Sequence, residues 1–144
     1  MNKLLTGLLI LFIILAGFFY FQNNSALENK EVIENSDLNK TENIIEFTEE
    51  GYLPSSLTIN KGETVTFVNK ADKSTWPASN VHPTHTVYPK SDIQKCGTSE
   101  EAKIFDACKE LAKGETYSFT FNEEGKWEYH DHLSARKKGT IIVQ

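Results

Sequence analysis

All four histidines of this 144-residue chain fall into two short groups, His82-Pro83-Thr84-His85 and His130-Asp131-His132. Neutral imidazole is a common nitrogen ligand for copper and zinc. A His-x-His pair on a strand places both rings on one face, and a His-x-x-His pair across a proline bend brings two more rings near them. The sequence therefore predicts a metal site whose ligands are His82, His85, His130 and His132. The alternative is a polar patch at the rim that binds nothing.

Three other features lie next to these histidines. Asp131 either orients a ligating imidazole or binds the metal directly, or else it only accepts hydrogen bonds from loop amides. Trp76-Pro77 and Tyr88-Pro89 flank the first histidine pair. We expect these two aromatic-proline pairs to stiffen and shield the loop rather than to bind a ligand.

The elements that carry the histidines show the pattern of an all-β domain. Short runs of alternating apolar and polar residues predict strands at 44–47, 57–60, 64–69, 117–121, 126–132 and 139–143. The long stretch between the third and fourth runs holds three of the four prolines, so we expect it to be irregular, with a short helix near residues 100–108. About 100 residues and about seven strands fit a sandwich of two sheets.

Strand alternation also predicts where the second histidine group points. Trp127 and Tyr129 are the apolar members of their strand, so they should face the core. His130 and His132 then share the opposite face, while Asp131 points inward near the rim of the sandwich.

Residues 1–21 differ from the rest of the chain. Only Lys3 is charged, and residues 4–21 form an almost unbroken apolar run, which as a helix would span about 27 Å. No small-residue cleavage pattern and no lipoprotein cysteine follow, so we expect an uncleaved transmembrane anchor, with a cleaved signal as the alternative. Lys3 favours a cytoplasmic N-terminus, which places the remaining residues outside the cytoplasm.

The exported part divides into a linker and a domain. Residues 22–42 are polar and hold too few apolar residues to form a core, so they are predicted to be a flexible tether, and residues 43–144 form the domain. In an oxidising compartment Cys96 and Cys108 are expected to form a disulfide; the alternative makes one of them a thiolate ligand. We favour the disulfide because both cysteines lie in a charged segment that we expect to lie away from the histidine-bearing strands. The net charge of −5 and the scattered basic residues argue against nucleic acid as a partner.

Two segments resemble cupredoxin domains. Residues 53–69 contain a proline, an alternating strand, a glycine turn and a second strand that ends in Asn69, and residues 125–143 resemble the last hairpin of that fold. The resemblance implies a cupredoxin-like Greek-key β-sandwich, here preceded by one transmembrane helix. Blue-copper members bind copper through His, Cys, His and a weak axial Met. Here Asp131 stands at the cysteine position, and the only methionine is Met1, so a blue site is not expected.

The histidine motifs are instead similar to the His-Pro-x-His and His-x-His segments of multicopper oxidases. We therefore expect an extracytoplasmic protein that binds one copper ion in a non-blue, type 2-like site and acts in copper handling or slow electron transfer. Its partners would be the membrane and a redox or copper-transfer protein. The site would lie within one chain or at a homo-oligomer interface.

Two other functions fit the same residues less well. One is a metal-free or zinc-stabilised sandwich that serves as an interaction module, since zinc accepts the same imidazole ligands. The other is a small copper enzyme, which would need at least three histidines and an open coordination position. The sequence shows no substrate pocket and no set of catalytic residues, so we rank the enzyme last.

Overall fold

The computed structural model describes residues 43–144, which confirm the predicted all-β sandwich. Eight strands form two four-stranded sheets, in the orders β2-β1-β4-β6 and β3-β8-β7-β5. The strands are β1 Ile44–Phe47, β2 Tyr52–Leu53, β3 Ser56–Ile59, β4 Thr64–Asn69, β5 Pro77–Ser79, β6 Thr116–Thr120, β7 Gly125–Asp131 and β8 Ser134–Val143. The described residues contain no helix that is long and apolar enough to cross a membrane. The predicted anchor and tether lie outside them.

Alternation along the strands produces the core, as the sequence indicates. In β4, Val65 and Phe67 are buried while Thr66 and Val68 are partly exposed, because successive side chains of a strand point to opposite faces. The core between the sheets is mainly aromatic. Its largest buried side chains include Phe47, Tyr52, Phe67, Tyr88, Phe105, Phe119, Phe121 and Tyr129. Most of their rings meet edge to face, the arrangement that aromatic pairs favour.

The stretch predicted to be irregular contains one strand that the pattern did not reveal. β5 pairs with β7, so that Ala78 lies opposite His130. The other edge of β5 is paired with residues 104–107: Ala78 forms a bridge with Asp106, and the Ser79 amide donates to the Phe105 carbonyl at 2.8 Å. β5 thus lies between residues 104–107 and β7, the strand that carries His130.

The remainder of this stretch contains 3-10 turns rather than an α-helix. They lie at Ile93–Lys95 and Glu101–Lys103, the second of them within the range where a short helix was expected. Cys96 and Cys108 form the predicted disulfide, which closes the loop that contains the second turn.

Tyr129 and Gly139 form a close contact on which the last hairpin depends. They face each other across β7 and β8, and the tyrosine ring lies over the glycine so closely that a Cβ there would overlap the hydroxyl and the adjacent ring carbons. The ring itself is fully buried and packs against Tyr52, Phe67 and Phe105.

We predict that Gly139→Ala lowers the free energy of unfolding by about 1–3 kcal/mol, because the added methyl group overpacks the core. For a domain of this size each kcal/mol lowers Tm by about 4–8 °C. Thermal unfolding measures the effect, with Thr140→Ala, at the next and half-buried position of β8, as the control. An unchanged Tm for Gly139→Ala would mean that the Tyr129 ring can move aside.

Candidate metal centre

The structure brings all four histidines together at one end of the sandwich. His82 and His85 lie in the loop after β5, His130 lies in β7, and His132 follows that strand directly. Each ring offers a nitrogen, and these four nitrogens lie within 4.8 Å of one another. The ring centroid of His85 is 5.0 Å from that of His130 and 4.9 Å from that of His132. We call these four residues the histidine cluster.

The four rings differ in their access to solvent. His85 and His130 are completely buried, His132 is half-buried and His82 is exposed. The histidine cluster therefore has a closed inner side and an open outer side, and His82 lies on the open side.

Backbone hydrogen bonds fix the loop that carries the first pair. The Val87 amide donates to the Asn80 carbonyl at 2.6 Å, and the His85 amide donates to the Val81 carbonyl at 2.8 Å. The Asn80 amide in turn donates to the Glu128 carbonyl on β7, at 2.9 Å. These bonds close the loop on itself and attach it to the strand that bears His130.

Asp106 extends the histidine cluster by one carboxylate. Its Oδ2 lies 2.5 Å from Nδ1 of His85, and both side chains are completely buried. Its Oδ1 accepts hydrogen bonds from Nε1–H of Trp76 at 2.6 Å and from the Cys108 amide at 2.8 Å. Burial alone would raise the pKa of this carboxyl, but the hydrogen bonds outweigh it and hold the pKa below its usual value.

This network determines which ring nitrogen of His85 is free. A carboxylate only accepts hydrogen bonds, so a neutral His85 donates from Nδ1 and leaves Nε2 without a proton. Nε2 of His85 lies 2.9 Å from Nδ1 of His132. That distance suits a hydrogen bond, and it also suits two ligands of one ion, because two bonds of about 2.0–2.1 Å at roughly a right angle span about 2.9 Å.

His130 supplies an independent test of whether a metal fits. Within residues 43–144, neither ring nitrogen of His130 has a hydrogen-bond partner, although both are buried. A buried polar atom without a partner costs about 1–3 kcal/mol, and coordination to an ion would satisfy one of the two nitrogens. The histidine cluster therefore fits a metal ion that accepts imidazole ligands.

Burial and the neighbouring imidazoles lower the pKa values of two members of the cluster, His130 and His132. The pKa of His130 is lowered to about 4, first by burial and then by the neighbouring histidines. The pKa of His132 is lowered for the same two reasons, in the same order. Because only an unprotonated nitrogen can bind a metal, these shifts keep the rings available as ligands at neutral pH.

Asp131 lies between two of the histidines but makes contacts of a different kind. Its Oδ1 accepts hydrogen bonds from the backbone amides of Trp76, at 2.8 Å, and Leu133, at 3.1 Å. Of the roles that the sequence allows for Asp131, these contacts match the acceptor of hydrogen bonds from loop amides. The buried carboxylate holds two backbone segments together, and the Trp76 amide and the end of β7 are thereby fixed next to the cluster.

The two aromatic-proline pairs have different surroundings. The Trp76 ring lies 4.5 Å from the ring of His132, so it covers that side of the cluster. Tyr88 belongs to the aromatic core, where it meets Phe119 and Phe121, and its hydroxyl accepts a hydrogen bond from the Asn122 amide. Trp76 therefore shields the cluster directly, whereas Tyr88 anchors the far end of its loop in the core.

Asp106 is the site residue that the sequence analysis did not identify. We expected the segment between Cys96 and Cys108 to lie away from the histidine-bearing strands, yet Asp106, two residues before Cys108, contacts His85. One signal was available: Ile104-Phe105 is an apolar pair in an otherwise charged segment, and both residues are buried. That pair indicates a segment that docks on the core and takes the adjacent carboxylate with it.

Comparison with known proteins also indicates a family of copper-binding proteins. Residues 39–144 match the family model for copper binding proteins of the plastocyanin/azurin family. Plastocyanin from Scenedesmus fuscus is 36% identical over 93 residues, which are 63% of this chain and 84% of that protein.

Solved structures show the same fold at low sequence identity. A purple cupredoxin from Nitrosopumilus maritimus superposes with a TM-score of 0.54 at 19% identity, covering 70% of this chain and 98% of that one. Amicyanin from Paracoccus versutus gives a TM-score of 0.52 at 20% identity, covering 76% and 87%. These similarities establish the cupredoxin fold.

The lowered pKa of His130 predicts that the metal-free protein loses stability on acidification. Unfolded histidine titrates near pH 6.5, whereas folded His130 titrates near pH 4. Between these values the unfolded state binds more protons, so the contribution of His130 to stability is complete above about pH 6.5 and falls as the pH drops toward 4.

Denaturant unfolding of the metal-free protein at pH 7.5, 6 and 5 tests this prediction. The free energy of unfolding should fall as the pH is lowered. The fall should be smaller in His130→Gln, because a glutamine side chain does not titrate. Equal slopes in the two proteins would show that His130 is not protonated preferentially in the unfolded state.

Proposed function

The chain belongs to the plastocyanin/azurin family of copper-binding proteins, and we propose that it binds one copper ion through His82, His85, His130 and His132. The observation that carries this proposal is the convergence of four imidazole nitrogens within 4.8 Å of one another. Among them is the buried ring of His130, whose nitrogens have no hydrogen-bond partner in the part of the chain that the structure describes. Copper bound there would supply one-electron redox chemistry. The histidines would hold the ion, and the aromatic core beneath them would limit the access of water.

We propose further that the site is not a blue-copper site. A blue site needs a cysteine thiolate, and both cysteines of this chain are joined in the disulfide between Cys96 and Cys108. Asp131, at the position where the resemblance to blue-copper proteins expects the thiolate, directs Oδ1 to two backbone amides. Four imidazoles without a thiolate would give copper an ordinary nitrogen environment.

The unequal burial of the rings supports a role in copper handling or slow electron transfer. Buried His85 and His130 would retain the ion, while exposed His82 would leave it open to a partner protein. The disulfide and the apolar run at residues 4–21 support a location outside the cytoplasm, next to a membrane. Zinc accepts the same ligands, but copper(II) binds nitrogen sites more tightly than zinc does.

We predict that the purified full-length protein binds about one equivalent of Cu(II), and that the double substitution His130→Ala/His132→Ala abolishes tight binding. The loss should exceed the 10–100-fold that removal of an outer-shell partner typically causes, because two direct ligands are removed. Competition against a chelator of known affinity measures it, and Lys126→Ala, an exposed position on the same strand, is the control.

Two results would contradict this proposal. Equal copper affinity in the double variant and in wild type would exclude the His-x-His pair from the site. Protein that retains zinc in the presence of one equivalent of Cu(II) would identify the site as a zinc site and support the interaction module instead.

We predict that the Cu(II)-loaded protein is pale and gives an electron paramagnetic resonance spectrum of ordinary tetragonal nitrogen and oxygen ligation. The reason is the absence of a thiolate, since the strong visible absorption of blue copper comes from the copper–sulfur bond. Visible absorption and electron paramagnetic resonance measure this on the same sample. An intense blue band that disappears in Cys108→Ser would show instead that a cysteine reaches the metal.

A further inference from the structure

The buried carboxylate of Asp106 divides its hydrogen bonds unequally between its two oxygens. Oδ1 accepts from two donors, Nε1–H of Trp76 and the amide of Cys108. Oδ2 faces Nδ1 of His85. Neither tryptophan Nε1 nor a backbone amide can accept a hydrogen bond, so an acceptor must always occupy the Oδ1 position.

Several contacts hold Asp106 in this position without the help of His85. Its backbone forms a bridge with Ala78 on β5, and its amide donates to the hydroxyl of Tyr117 at 2.9 Å. The preceding residues, Ile104 and Phe105, are completely buried. The carboxylate is therefore a fixed part of the fold against which the His85 ring is oriented.

We propose that Asp106 is a positioning residue that sets the tautomer of His85, so that Nε2 is the nitrogen offered to the metal. This inference rests on the proposed copper site. With Nδ1–H held by the carboxylate, Nε2 carries no proton and points toward Nδ1 of His132, 2.9 Å away. A carboxylate behind a ligating imidazole also increases the basicity of the ring and fixes its orientation.

The substitution Asp106→Asn should reverse this arrangement while changing the shape of the side chain very little. The amide oxygen must stay at the Oδ1 position, because an NH2 group there would face the two donors. The NH2 group then faces Nδ1 of His85, which must accept, so the proton moves to Nε2. An imidazole held in the wrong tautomer cannot use the nitrogen that its function requires.

The first measurement is the tautomer of His85 in the metal-free full-length protein, read from long-range ¹H–¹⁵N correlation spectra. We expect the Nδ1–H form in wild type and the Nε2–H form in Asp106→Asn. The wild-type spectrum needs no variant, so it remains informative if the variant folds poorly. An Nε2–H form in wild type, or the same tautomer in both proteins, would overturn the proposal.

The second measurement is the Cu(II) affinity of the same proteins by chelator competition. Asp106→Asn should bind about 10–100-fold more weakly than wild type. Asp72→Asn is the matched control, because it makes the same change at an exposed carboxylate that pairs with Lys113. Wild-type affinity in Asp106→Asn, or an equal loss in Asp72→Asn, would overturn the positioning role.

These two measurements separate the inference from the proposed function. If wild-type protein binds no copper, the proposed function fails, while the tautomer of His85 still decides whether Asp106 sets it. If wild-type protein binds copper and Asp106→Asn binds it equally well, the copper site stands and only the role of Asp106 is overturned.

Discussion

The ring of His130 can share the small volume at the end of this sandwich with three other imidazoles only while it carries no positive charge. It is removed from water completely, and a proton on it would place a charge beside its neighbours in a medium that solvates it poorly. The lowered pKa of His130 is the consequence, because burial and the neighbouring imidazoles both disfavour the protonated ring. Neutral rings, however, still need partners for their nitrogens, and His130 has none among residues 43–144. A shared metal ion resolves both requirements, since it needs unprotonated ligands and satisfies their lone pairs.

The geometry that meets this constraint depends on the three-residue strand β5. One of its edges pairs with β7 and so fixes His130, and its other edge pairs with residues 104–107 and so fixes Asp106. The loop that follows β5 carries His82 and His85 back over β7. A single short strand thereby sets the relative positions of both histidine groups and of the carboxylate.

The sequence predicted the parts of this arrangement that depend on local pattern. Alternation located the strands around Val65 and Tyr129, and the clustering of the histidines indicated which residues converge. It did not reveal β5, because Pro77-Ala78-Ser79 has no alternation and becomes a strand only through its neighbours. The contact between Asp106 and His85 was missed for the same reason, since it forms only after residues 104–107 dock on that strand.

Two buried aspartates show how the same side chain acquires different roles from its surroundings. Asp131 lies within the second histidine group, yet its Oδ1 binds the backbone amides of two segments. Asp106 is far from both groups in sequence, yet its Oδ2 binds a ring of the cluster. Sequence proximity to a histidine therefore does not decide which carboxylate orients it. In both carboxylates Oδ1 accepts two hydrogen bonds, so the difference lies in the second oxygen. Oδ2 of Asp106 faces Nδ1 of His85, whereas within residues 43–144 the hydrogen bonds of the Asp131 carboxylate involve Oδ1 and backbone amides alone.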